Sequence, residues 1–278
     1  MSTNLKLEQE KMNEKLLKPS FAMSQAVEQA YAVFKKYRAP SHMLDVCISC
    51  CMDGALEKEM RCLPLLQLTA RHFYEYNTSA KSEVQPGNEI KYFLPRMFDL
   101  LSQGAELHHS TELYLDRLGR CEAGTFSVQE RAVIDAFALV FFSEGLRRHH
   151  WQEKASDHFM GGNAFDILLM FHLGGIGLEP LLAHWLEAES PGATLHYANA
   201  GYWDFWKARE IENAFADDRP IFRETMKSWL LEAHHRDLFA KKMLALDMST
   251  IEQHSACGCG AGMGPKEILD SVFDLIAD

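Results

Sequence analysis

Residues 127–146 read SVQERAVIDAFALVFFSEGL. Ser127 and Glu130 stand at the capping-box spacing, where a hydroxyl and a carboxylate each satisfy a free backbone amide at a helix start. The apolar run 132–146 follows directly, so the stretch predicts a long apolar helix. Toward the N-terminus, Ala26, Ala30, Val33 and Phe34 fall near a 3.6-residue period and predict a helix from residue 21. Pro40 ends it, because proline restricts the residue before it and has no amide donor. Residues 41–54 then read as a loop holding three cysteines. Helices are predicted over 65–76 and 89–101, about a turn at Pro86 and Gly87, with a short one from Thr111 to residue 118.

On the C-terminal side the pattern predicts helices over 164–173, 180–189, 202–215 and 221–246, the last broken near His234. A Gly-rich loop, 258–264, precedes a final amphipathic helix, 265–277. Ile268, Val272, Phe273 and Ile276 form its apolar stripe, and Pro265 suits its first turn. Apart from Asp53-Gly54 beside the cysteines, no Asn-Gly or Asp-Gly pair offers a hairpin turn between alternating runs. The expected fold is therefore all-α: an irregular helical bundle, or a short α-solenoid of antiparallel helix pairs. No clean repeat of about 30–45 residues supports the solenoid form. Residues 1–20 read as a polar N-terminal extension, and 21–278 as a single helical domain.

Composition narrows the function. Of 278 residues, 47% are apolar and 24% charged, the mixture of a folded globular chain rather than a disordered one. A formal charge of −11 argues against general nucleic-acid binding, which needs a basic surface to displace counterions. It is compatible with a well-solvated surface, or with steering toward a basic protein partner. The most apolar stretches, 136–142 and 165–178, are too short to cross a bilayer, and the second contains Asp166 and His172. The Lys- and Glu-rich start has no apolar core of a secretory signal. A cytoplasmic location is expected.

Seven cysteines occur, at 47, 50, 51, 62, 121, 257 and 259, an odd number at uneven spacing, which reads as reduced thiols in a cytosol. Cys47 and Cys50 have the Cys-x-x-Cys spacing that brings two sulfurs to one ion from a tight turn, with Cys51 beside them. Cys257 and Cys259 form a second pair in the Gly-rich loop, three residues after His254. If that loop folds back, the two pairs make a four-sulfur zinc site tying the chain ends together. His42, Cys62 and His72 are nearer helpers. Two other readings stand beside this one. Cysteines are among the side chains most often fully buried, and a Cys-x-x-Cys also serves redox chemistry, though in a βαβ setting that this pattern lacks.

Other candidates are weaker. Glu106 with His109, and Glu232 with His235, have the Glu-x-x-His spacing of di-iron bundles, but with 13 histidines chance accounts for such pairs. His149-His150 is a further adjacent pair. The run Gly174-Gly175-Ile176-Gly177 follows a helix rather than a strand, so a helix end explains it better than a phosphate loop. Tyr202, Trp203, Phe205 and Trp206 read as core, or as the anchor of a cleft or interface.

Leu44-Asp45-Val46-Cys47 with Cys50-Cys51, the 65–69 segment, Tyr92-Phe93-Leu94-Pro95-Arg96 and the block 165–186 together resemble a family of uncharacterised bacterial proteins. The resemblance runs through most of residues 30–240. It implies a soluble helical protein with a cysteine cluster near its start, and carries no catalytic residue over. Two functions are expected from the whole. One is a binding protein whose acidic face engages a basic protein, as a neutralising partner or a scaffold. The other is a metal-binding or thiol-dependent enzyme or sensor built on Cys47, Cys50 and Cys51.

Overall fold

A computed structural model describes residues 18–147, 163–247, 249 and 264–277. Among them run twelve α-helices: α1 (Phe21–Phe34), α2 (Gly54–Cys62), α3 (Ala70–Thr78), α4 (Gly87–Ser102), α5 (Asp116–Gly119), α6 (Val128–Arg147), α7 (Ala164–Leu173), α8 (Glu179–Glu187), α9 (Pro191–Asp204), α10 (Pro220–Leu231), α11 (Ala233–Leu244) and α12 (Pro265–Ala277). Short 3₁₀ turns lie at Leu65–Gln67, Thr111–Leu113 and Ala214–Ala216. No strand forms among the described residues. Val46 with Ala80 and Gln85 with Cys121 make isolated bridges only. The fold is all-α.

Residues 127–147 form the spine of the molecule. Ser127 N–H donates to Glu130 Oε2 at 2.9 Å, and Glu130 N–H to Ser127 Oγ at 3.3 Å, so the capping box is formed. From it α6 runs 20 residues, about 30 Å. One side packs on α1, the other on α7, α8 and α9. Phe137 of α6 stacks on Phe98 of α4 at 3.9 Å between ring centroids. A solenoid helix touches only its sequence neighbours. α6 touches α1, some hundred residues before it, as well as α7, α8 and α9 after it, which makes this an irregular bundle. Its apolar interior is continuous from Met23 to Ile276.

Glu130 also fastens α4 and α6 to the segment that follows α1. Its carboxylate accepts from Tyr37 Oη at 2.6 Å and pairs with Lys36 Nζ at 2.8 Å and Lys91 Nζ at 3.3 Å, although the residue is only 1% exposed. Burial works to raise its pKa. The hydrogen bonds from Lys36, Tyr37, the Ser127 amide and Lys91 outweigh that and hold it at about 2.

Three predicted elements are corrected. Helix 54–62 lies at the end of the expected loop: Asp53 is its cap, taking the Ala55 N–H on Oδ1 at 2.6 Å, rather than part of a turn pair with Gly54. The expected 65–76 helix is a 3₁₀ turn followed by α3, whose start Thr69 and His72 cap reciprocally. The expected 202–215 helix is instead the end of α9, which begins at Ser190-Pro191. The chain reverses at Phe205, and the Trp206 indole folds back so closely that a Cβ on Gly201 would lie 2.5 Å from its Nε1. The break expected near His234 falls at Glu232, between α10 and α11.

Candidate metal centre

Leu44 and Val46 are buried, which fixes the loop that carries the cysteines. Between them, Asp45 is gripped on every polar atom. Its N–H points at the Glu89 carboxylate (3.3 Å to Oε2), and its carbonyl accepts from Arg117 Nη2 at 2.8 Å. Its carboxylate accepts from Ser82 Oγ at 2.7 Å and Gln85 Nε2 at 3.2 Å. Arg117 is the hub. It is 1% exposed, lies over the Tyr76 ring at 3.6 Å, and donates to Gln85 Oε1 at 2.6 Å and the Tyr76 carbonyl at 2.7 Å. Tyr76 Oη in turn donates to Glu89 Oε1 at 2.7 Å. Burial pushes the Glu89 carboxyl up, against the pull of Tyr76 and Arg117.

From this base Cys47 emerges, its N–H donating to the Ser79 carbonyl at 2.8 Å. The next residues turn back, and Met52 N–H closes the turn on the Cys47 carbonyl at 2.9 Å. Three sulfurs converge as a result. Cys47 Sγ is 3.2 Å from Cys50 Sγ, Cys50 Sγ is 3.3 Å from Cys51 Sγ, and all three lie within 4.8 Å of one another. Cys50 and Cys51 are exposed and Cys47 is half-buried, so the reading of these three as buried packing is not what the fold adopts. The Ser49 hydroxyl, 3.1 Å from Cys47 Sγ, and the Cys50 thiol lower the Cys47 pKa to about 6. Cys51, on the far side of the same hydrogen-bonded chain through Cys50, is raised to about 11. The cluster therefore offers one thiolate near neutral pH and two further sulfurs beside it.

Other expected ligands lie elsewhere. His42 lines a groove of about 940 Å³ that opens beside the turn, walled also by Asp45, Lys81, Gln85 and Glu89. His72 is buried, with Nδ1 on the Thr69 amide and Nε2 3.2 Å from Glu59. Cys62 is exposed at the end of α2 and outside the convergent set. Cys257, Cys259 and His254 fall outside the described residues, as do His149 and His150. Glu106 and His109 are exposed in a loop, and His235 Nδ1 contacts the Trp229 carbonyl at 2.8 Å while Glu232 is exposed. Among the described residues the three cysteines are the one group of metal-ligating atoms that converges.

The Gly174 run is a helix end. Ile176 N–H donates to the Phe171 carbonyl and Gly175 N–H to the His172 carbonyl, both at 2.9 Å, with Gly175 at φ +71°. Of the aromatic stretch, Phe205 and Trp206 are core, whereas Trp203 is exposed and lies under Lys207 with Tyr202.

A second polar cluster has no counterpart among the sequence motifs. Asn163 caps α7 and reaches Asp204, while Asn213 Nδ2 bridges Glu112 Oε1 at 2.8 Å and Asp166 Oδ1 at 3.0 Å. Burial, and then the neighbouring Glu112 and Asp204 carboxylates, push Asp166 up to about 7, against the hydrogen bonds from the Asn163 amide and Asn213. Its members come from four separate segments with no shared motif.

No described helix is long and apolar enough to cross a membrane. No family model, curated protein or solved structure matches the chain.

Proposed function

We propose that this protein binds one thiophilic metal ion through Cys47, Cys50 and Cys51, and that zinc is the ion it takes. The observation that carries the reading is the convergence of three sulfurs on one turn with all three within 4.8 Å. Thiolate sulfur is a donor for zinc and other soft ions. A tetrahedral zinc about 2.3 Å from each sulfur sets them about 3.8 Å apart. The 3.2 and 3.3 Å contacts of the free thiols would open by roughly half an ångström on binding, within reach of side-chain rotation. The rigid base under Asp45 supports the site, since ordering the first ligand beforehand lowers the entropic cost of binding.

Three sulfurs leave the fourth position of a zinc ion to a water, a substrate or another ligand, the pattern of a site that exchanges or activates rather than one that only staples. A fourth sulfur from Cys257 or Cys259 would close the site instead. Metal analysis of protein purified without an affinity-metal column, alongside a free-thiol count, tests the reading. About one zinc per chain with masked thiols, lost in Cys50→Ser, supports it. No metal and fully reactive thiols would overturn it. Retained zinc in a Cys257→Ser/Cys259→Ser double variant assigns the site to the three N-terminal cysteines, and loss of zinc there assigns a four-sulfur site. The alternative of an acidic scaffold for a basic protein rests on net charge alone, and co-purification from a gentle lysate tests it.

A further inference from the structure

Cys47 and Cys50 are poised for more than coordination. Their sulfurs are in contact at 3.2 Å, both thiols are free, and Cys50 is exposed. A disulfide needs sulfurs about 2.0 Å apart and Cβ atoms about 3.8 Å apart, a change that rotation about two side-chain bonds accomplishes from contact distance. Two residues of turn separate the pair, leaving room for an unstrained ring. The competing pair, Cys50 and Cys51, is also in contact, at 3.3 Å. But a bond between adjacent residues closes a ring around a single peptide, which resists distortion from its planar trans form. The backbone of Cys47 is held by Ser79 and by the Asp45 network, so bond formation draws Cys50 onto a fixed partner.

We infer that this metal site is controlled by oxidation: a hydroperoxide converts Cys47 and Cys50 to a disulfide, and the bound ion leaves. The inference rests on the metal-binding reading above. In the first step one thiolate sulfur of the pair attacks the peroxide oxygen. The O–O bond breaks, hydroxide or alkoxide departs, and a sulfenic acid remains. In the second step the other sulfur attacks the sulfenic sulfur. The S–S bond forms, the S–O bond breaks, and hydroxide departs, taking a proton from solvent to leave as water. The two zinc-bound thiolates lose two electrons and the peroxide gains them, its two oxygens leaving as hydroxide or alkoxide and hydroxide that solvent protonates. Two of the three sulfur ligands cease to be thiolates, and Cys51 alone does not hold the ion.

Zinc-loaded protein is treated with hydrogen peroxide, zinc release is followed with a chromogenic chelator, and the peptide carrying residues 47–51 is weighed by mass spectrometry. The expected result is one zinc released per disulfide. The peptide is two hydrogen atoms lighter and keeps one alkylatable thiol, at Cys51. Thiol reductant followed by fresh zinc restores binding. Cys51→Ser still forms the disulfide, and Cys50→Ser does not. Zinc retained under peroxide, or released without a Cys47–Cys50 bond, overturns the control mechanism and leaves metal binding standing. Protein that takes up no zinc before oxidation overturns both, whether or not its disulfide forms.

Discussion

Arg117 Nη2 donates to the Asp45 carbonyl at 2.8 Å, two residues before the first sulfur of the cluster. One buried cation thus holds the base of an exposed, reactive turn. The same guanidinium lies 3.8 Å from Asp45 Oδ2 and 3.6 Å from Glu89 Oε1, so it also balances two carboxylates. The arrangement separates tasks: buried polar contacts set backbone position, and solvent-facing sulfurs supply the chemistry.

Replacing Arg117 by Met removes that balance. It leaves Glu89 and Asp45 without the Arg117 counter-charge, the Tyr76 carbonyl without its guanidinium donor, and the Asp45 carbonyl with only the Lys81 N–H at 3.3 Å. Breaking a buried pair from one side costs about 3–5 kcal/mol. Urea denaturation should show a loss of that order, and zinc affinity should fall with it. Arg117→Lys keeps the charge but not the planar fork that reaches Gln85, Tyr76 and Asp45 at once, so an intermediate loss is expected. A variant as stable as the parent would show that the network is not what holds the turn.

How much of this was legible depended on whether the signal was local. The capping box at Ser127 and Glu130 and the stripe from Ile268 to Ile276 are local, and each marks an element that forms, whereas the first helix ends at Phe34, ahead of the expected stop at Pro40. The cysteine spacing is local too, and it brought the three sulfurs together. α9 was missed because residues 192–201 are all buried, Thr194, His196 and Asn199 among them, so the helix has no exposed polar face to set a period. Arg117 was missed because a lone arginine between Asp116 and Leu118 carries no mark of burial. Its partners stand 32, 41 and 72 residues away in sequence, and only folding brings them together.

Glu130 sets an acid limit on stability. Its folded pKa, about 2, lies below the unfolded value of about 4.3. The stability it contributes is therefore complete above pH about 4.3 and lost as pH falls toward 2. Glu130→Gln should remove this portion of the acid transition. At neutral pH it should cost about 3 kcal/mol, because Lys91 loses its buried partner. Acid titration of both proteins by far-ultraviolet circular dichroism checks it, and superimposable acid limbs would count against the assignment.

Asp166 acts with the opposite sign. Its folded pKa, about 7, lies above the unfolded value of about 3.9, so the native state binds the extra proton between those limits. Stability should then fall as pH rises from about 4 to 7 and level off beyond. Asp166→Asn removes the titrating group and should flatten that slope. Denaturation midpoints measured across the window decide it: an unchanged slope in the variant would place the titration on another group.

Gly119 couples the α5–α7 contact to the cysteine turn. It ends α5, two residues after Arg117, where a Cβ would lie 1.8 Å from the Leu173 carbonyl oxygen at the end of α7. That contact is with backbone, which cannot swing aside as a side chain would. Gly119→Ala must push α5 off α7, at about 3 kcal/mol or more if overpacking follows its upper range. The displacement carries Arg117 with it, so the cysteine turn should loosen and its thiols react faster with alkylating reagent in metal-free protein. Gly54→Ala is the control. No atom lies within 4 Å of its added Cβ, and it sits at a helix start with negative φ, so a change of about 0.5 kcal/mol or less is expected. Equal denaturation midpoints for the two variants would mean that the α5–α7 approach is not a constraint, and that Arg117 is placed by its polar partners alone.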